Sequence, residues 1–380
     1  MNWFRDNILK IIIIIVISII IIVFAVACSS FSPKTNSSKG AETGTSYQEL
    51  ESKLQNAAIK YVSRNKELLP RSSDVNNKIS LETLVNNNML KRINAIEDNK
   101  VMCSGYVEII KNDDTNSYRY NPYLKCGNYY ETKILANYLI NNSSVVTSGD
   151  GLYSFNGYYI YKGENPDNFI QLDNMLFRIL GITSDGNLKL IATNKTQYTY
   201  VWDDRFNSEV QKYYGINNYS LSRLKDNLSF LYKNSSEEKG EIYFTDLQRS
   251  YMIDYDYCVG KRSLSDTDIN SNSECKETVK QKIGLINISD YYNVSTSNLC
   301  KLTTNLECNN YNYLFGYSSN TFATMIANAD NTYSYLYISD GIISSSRTTK
   351  ALKLYPVIYL DSNILYLSGK GTISDPYKIR

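Results

Sequence analysis

The chain has 380 residues, a formal net charge of +2 and no histidine. The near-neutral balance offers no basic field for nucleic acid and no acidic tail. Without imidazole there is no Ser-His or Cys-His nucleophile pair and no histidine base or metal ligand, so carboxylate pairs, lysine and oxygen-ligated metals are the chemistries left open. Residues Ile11–Ala27, with Ile8 and Leu9 in front, give about 20 nearly uncharged positions, enough to cross a ~30 Å hydrocarbon layer as a helix. Arg5 and Lys10 precede the run, and Trp3 and Phe4 sit where interfacial aromatics anchor a span. The expectation is a single-pass cell-membrane protein with the bulk of the chain extracellular.

Residues 1–28 are therefore a membrane anchor, or a lipoprotein signal, since Ala25-Val26-Ala27-Cys28 resembles a lipobox cut before a lipidated Cys28. Residues 29–45 are small and polar, a flexible stalk. Ser46-Tyr-Gln-Glu49 is a capping box opening a helix with Leu50, Leu54, Ala57, Ala58, Tyr61 and Val62 at helical spacing. A second short helix runs from Leu81 and breaks at Asn86-Asn87-Asn88. Val101–Ile110 and Tyr118–Cys126 read as strands around the turn 112–116, and Thr132–Ile140 as a short helix. This makes 46–143 a membrane-proximal α+β domain.

From 150 to 380 the texture changes to hairpins. Asn156-Gly157 is a two-residue hairpin signal. Phe169–Leu172, Met175–Ile182 and Leu188–Ala192 are predicted strands, and Ser220 is the expected cap of a helix carrying Leu221, Leu224, Leu228 and Leu231. Residues 254–308 read as long polar loops. Phe322–Ala327, Tyr333–Ile338, Ile342–Ser345 and Leu352–Leu360 read as strands again.

Seven cysteines are present. Apart from Cys28 they form three local couples, and proximity favours Cys103–Cys126, Cys258–Cys275 and Cys300–Cys308 as disulfides in an exported region. No Cys-x-x-Cys occurs to suggest a metal site.

Three clusters are candidate sites. Trp202-Asp203-Asp204-Arg205 offers two carboxylates as calcium ligands beside an aromatic platform for a sugar; the competing reading is a loop-fixing Asp–Arg pair with Trp202 in the core. Asp254 and Asp256 lie on one side of an extended segment, as calcium ligands or as a solvated loop. Tyr333, Tyr335 and Tyr337 alternate along a strand, as a binding face or as an ordinary half-buried sheet in a chain with 35 tyrosines. No obligatory cofactor is expected.

Tyr161-Lys-Gly-Glu-Asn-Pro-Asp-Asn-Phe-Ile170 followed by Met175-Leu-Phe-Arg-Ile-Leu-Gly-Ile182 resembles the opening of an uncharacterised surface-domain family met mainly in Firmicutes. Val201–Asn207, Cys258–Arg262, Tyr355–Leu360 and Ser368–Tyr377 resemble its later anchors. That family is similar to C-type-lectin-like and formylglycine-generating-enzyme-like folds, which implies a loop-rich α+β domain used for display and binding. The enzyme's copper-binding cysteines have no match here. Residues 46–143 resemble pilins in architecture only, since the prepilin Gly-Phe-Thr-Leu-x-Glu motif is absent. The reading is α+β: an N-terminal transmembrane helix, a small pilin-like helix-plus-sheet domain and a disulfide-braced C-type-lectin-like domain. The function expected is an adhesin-type surface protein without catalytic activity that binds glycan or protein. The alternatives are a structural pilin-like envelope component and a carboxylate-dependent cell-wall hydrolase.

Overall fold

The first helix, α1 (Tyr47–Arg64), begins where its cap predicts, with the Ser46 hydroxyl accepting the Glu49 backbone N–H at 3.2 Å. The Glu49 carboxylate pairs one turn on with Lys53. Leu50, Leu54, Ala57, Ala58 and Val62 are buried, each large side chain contributing roughly 1.5–3 kcal/mol. They pack on an antiparallel four-stranded sheet made of β1 (Asn77–Ser80), β2 (Ser104–Asn112), β3 (Ser117–Cys126) and β4 (Tyr130–Glu131), in that order. Helix α2 (Leu81–Asn86) stops at the asparagine run as expected. Cys103 is bonded to Cys126 across the open end of the β2–β3 hairpin.

The structure is a computed structural model describing residues 44, 46–142, 145–234, 241–266, 272–297, 311–315 and 321–380. The expected membrane anchor, the stalk with Cys28, and the Cys300–Cys308 couple lie outside the described residues. Among the described residues no helix is long and apolar enough to cross a membrane.

Helix α3 (Leu135–Asn142) follows. Its position in sequence groups it with the first domain, yet its Leu135, Ala136 and Leu139 pack into the second hydrophobic core. That core surrounds a nine-stranded sheet. The hairpin β5 (Gly151–Phe155) and β6 (Tyr158–Lys162) turns at Asn156 and Gly157, both at positive φ, 47° and 86°. Strands β7 (Phe169–Leu172), β8 (Met175–Ile182) and β9 (Leu188–Ala192) have the predicted bounds. Gly181 in β8 is required by packing, because a Cβ there would lie 2.3 Å from the Tyr159 carbonyl of β6.

After the short β10 (Tyr200–Val201), helix α4 (Arg223–Lys233) is capped by Ser222 and not by Ser220. Ser220 instead lies in a 3₁₀ turn, Tyr219–Leu221, which turns Leu221 to solvent while Leu224, Leu228 and Leu231 face the core. Helix α5 (Asp246–Tyr251) leads into the stretch read as long loops. It holds a regular hairpin, β11 (Tyr255–Cys258) with β12 (Thr278–Gln281), closed by the Cys258–Cys275 disulfide. Next come β13 (Ile283–Gly284), paired at the sheet edge, and α6 (Ile288–Asn293). Gly284 admits the Tyr257 ring, which a Cβ would meet at 2.2 Å.

Strands β14 (Thr321–Ala327), β15 (Ser334–Ser339) and β16 (Ile342–Arg347) form a separate antiparallel sheet. The predicted strand 352–360 is two strands, β17 (Ala351–Leu352) and β18 (Val357–Leu360). Pro356 between them lacks the N–H a continuous ladder needs. β19 (Tyr366–Ser368) and β20 (Tyr377–Ile379) close the large sheet, β20 lying parallel to β7.

The two cores belong to one compact unit joined by polar contacts. Arg119 of β3 pairs with Asp361 at 2.8 Å, Arg380 with Glu51 at 3.2 Å, and the Tyr232 hydroxyl donates to Asp114 at 2.7 Å. The fold is thus mixed α and β, mostly sheet with few helices, and carries two disulfides among the described residues.

Candidate functional site

A cleft of about 390 Å³ opens where the large sheet meets the β11–β12 hairpin and α6. Seven stretches of chain line it, from β6, β8 with its following turn, β9, β11, Cys275, α6 and β18. Cross-strand register sets Tyr359 of β18 opposite Lys189 of β9, and the Lys189 ammonium sits 5.6 Å from the Tyr359 ring. Tyr255 of β11 stacks on the same ring, centroids 3.6 Å apart and planes 12° from parallel. Tyr257 meets Tyr359 edge-on at 5.3 Å and donates its hydroxyl to the Val357 carbonyl at 2.9 Å. Tyr158 and Tyr159 of β6 line the cleft from another side.

The polar groups are as firmly set. Lys189 donates to both carboxylate oxygens of Asp290 at 2.6 Å, a half-buried pair. Asp290 also accepts the Asn287 backbone N–H at 3.0 Å. Behind α6 lies a fully buried pair, Arg262 and Glu274, 2.8 Å apart, whose Glu274 carboxylate also accepts the Ser289 hydroxyl at 2.7 Å. Burial holds the Glu274 carboxyl above its ordinary value, against the opposing pull of Ser289 and Arg262. The disulfide Cys258–Cys275 ties β11 to the residue next to Glu274, so the wall, the ion pair and α6 form one braced assembly.

Burial raises the phenol pKa of Tyr255, Tyr257 and Tyr359, so all three are neutral rings at neutral pH. The two cleft cysteines are in a disulfide, and the Ser289 hydroxyl is donated to Glu274. Asp256 and Asp290 outnumber Lys189, which makes the cleft rich in hydrogen-bond acceptors.

Of the residues singled out in sequence, Asp256 and the disulfide couple Cys258 and Cys275 line this cleft. Asp254, on the same strand end, is paired with Lys282 at 3.4 Å. Trp202 is buried, donating its indole N–H to the Thr324 carbonyl at 3.1 Å. Asp203 is buried and binds Arg205 at 2.8 Å and the Ile216 backbone N–H at 2.7 Å, which is the loop-fixing alternative. Asp204 is exposed and paired with Arg223 at 2.6 Å. Among the described residues no three Asp, Glu, Cys or His side chains are grouped to hold a metal.

The tyrosine row is not an open face. Tyr335 is buried against Trp202, ring centroids 6.1 Å apart, because β15 is covered on both sides. Tyr337 is half-buried under the Lys350 ammonium at 4.3 Å, and Tyr333 packs on Tyr214 at 5.6 Å. Tyr158, Lys189, Tyr255, Asp290 and Tyr359 were missed as site residues. The one available signal was a single lysine in the otherwise apolar strand Leu188–Ala192.

Comparison with family models, with curated proteins and with solved structures gives no match for this chain.

Proposed function

We propose that the chain is a membrane-anchored, extracellular binding protein of the adhesin type, without catalytic activity, that holds a terminal saccharide residue in the tyrosine cleft. The observation that carries this reading is the fixed Tyr255–Tyr359 ring stack beside the bidentate Lys189–Asp290 pair. A pyranose presents an apolar face for a ring and hydroxyl donors for carboxylates, and this cleft supplies both partners without reorganisation. The acceptor excess disfavours anionic sugars. The disulfide-braced, loop-rich second core is consistent with lectin-like display, and the apolar run at 11–27 with the membrane tether.

The test is a glycan array probed with the full chain in detergent, with and without calcium. Binding that is lost in Tyr158→Ala and Asp256→Asn supports the reading. An empty array, or binding indifferent to both variants, overturns it.

A second reading, a pilin-like envelope component, draws support from α1 lying on an antiparallel sheet stapled by Cys103–Cys126. It predicts cross-linked ladders through residues 46–143 in cells, and a purely monomeric pattern counts against it. For the hydrolase alternative, Asp203, Asp204 and Asp254 are each engaged by a cation, which leaves Asp256 without a second carboxylate from that group.

A further inference from the structure

Helix α3 buries Leu135, Ala136 and Leu139 and turns Asn137 and Asn141, one helical turn apart, to solvent. Two adjoining depressions meet at this helix. One, of about 760 Å³, extends over β3 and β4; the other, of about 380 Å³, extends over β5 and the turn before β20. Both are lined by Tyr138 and Asn142, so the two share a wall on this helix and are taken together as a trough. We infer that this trough is a second binding site, distinct from the tyrosine cleft, and that its occupant is a neutral polysaccharide chain.

Three features select that occupant. Rings are held in place along the trough: Tyr106 stacks on Tyr123 at 4.8 Å, Tyr138 stacks on Tyr366 at 3.8 Å, and Tyr129 is 50% exposed. Pre-set rings take the apolar faces of successive sugars at little entropic cost. Amides lie between them, Asn128, Asn137, Asn141 and Asn142, each offering donors and an acceptor to neighbouring hydroxyls.

The charges balance. Lys125, Lys133 and Lys370 face Glu131, Asp150 and Asp167. Lys125 is paired with Glu131 at 3.0 Å and Lys133 lies over the Tyr138 ring at 5.1 Å, which leaves no field for a polyanion. An extended peptide is disfavoured because the strand edge here, β4, is two residues long and cannot template an added strand.

The experiment is calorimetric titration of the full chain in detergent with cellohexaose, chitohexaose and maltohexaose, and with the matching disaccharides. At least one hexasaccharide binds about tenfold tighter than its disaccharide. Tyr129→Ala, and separately Asn137→Ala with Asn141→Ala, each weaken that binding by about tenfold. These positions are exposed, and unchanged circular dichroism confirms the fold. The titrations are run in the Tyr158→Ala background, which removes sugar binding at the cleft, so the affinities read belong to the trough and a failure here is distinct from a failure of the reading above. No hexasaccharide binding, affinity independent of chain length, or indifference to both trough variants overturns the inference.

Discussion

Replacing Arg262 by Met removes one half of a pair in which both side chains are wholly shielded from solvent. Arg262 reaches Glu274 at 2.8 Å and the Asp266 carbonyl at 2.9 Å, and Met keeps most of its volume. The loss is therefore electrostatic. An uncompensated carboxylate stays buried beside the Ser289 hydroxyl, at a cost of about 3–5 kcal/mol. For a unit of this size about 2 °C of melting temperature accompanies each kcal/mol, so the midpoint falls by roughly 6–10 °C. Adding Glu274→Leu removes the stranded charge, and the double variant recovers about half of that loss or more, a coupling that only a contacting pair shows. The assay is thermal unfolding followed by near-ultraviolet circular dichroism, which reads the buried Trp202 and the stacked tyrosines. A single-variant shift below about 2 °C, or strict additivity in the double variant, would refute the braced assembly behind α6.

Burial is the leading cause of a raised carboxyl pKa at both Glu51 and Glu274, whose ordinary value is 4.5. A folded-state pKa above the unfolded one stabilises most below the unfolded value and is lost as pH rises through the folded one. Melting temperature measured from pH 4 to pH 7 therefore declines less steeply in Glu51→Gln and Glu274→Gln than in the parent; an identical slope contradicts this. Replacing Cys258 and Cys275 together by Ser opens a loop with a sequence separation of 17 and costs about 3 kcal/mol, read as a shifted unfolding midpoint. The same change loosens the β11 wall, so glycan affinity at the cleft drops with it. Lys189→Met leaves Asp290 without its cation and weakens cleft binding by about tenfold; unchanged affinity would remove that pair from the site.

The strands of the large sheet were legible because local chemistry decides them. Asn156, Gly157 and Asp173 supply the positive-φ turn residues, and the runs between them have strand length. Helix α1 was legible from its cap and its apolar stripe. Glu51 was not, since a carboxylate inside that stripe becomes tolerable only with distant partners, the Tyr130 and Thr132 hydroxyls it accepts and Arg380, from the far end of the chain, at 3.2 Å. The cap of α4 was misplaced by two residues because Ser220 and Ser222 are equivalent locally, and only the packing of Leu224 chooses between them.

The cleft was nearly invisible. Its lining comes from β6, β8, β9, β11, Cys275, α6 and β18, and apart from the β8–β9 hairpin these stretches are distant in sequence. The clusters that did form patterns, Trp202–Arg205 and Tyr333–Tyr337, owe them to packing: the first fixes a loop, and in the second Tyr335 lies against Trp202, Tyr333 against Tyr214 and Tyr337 under Lys350.

Hydroxyl-radical footprinting of the full chain, with and without a saccharide retained on the array, tests the central claim most directly. Bound ligand should protect Tyr158 and Tyr255 while Tyr213, 74% exposed and away from the cleft lining, keeps its labelling. Unchanged labelling at both cleft tyrosines under saturating ligand would contradict the account.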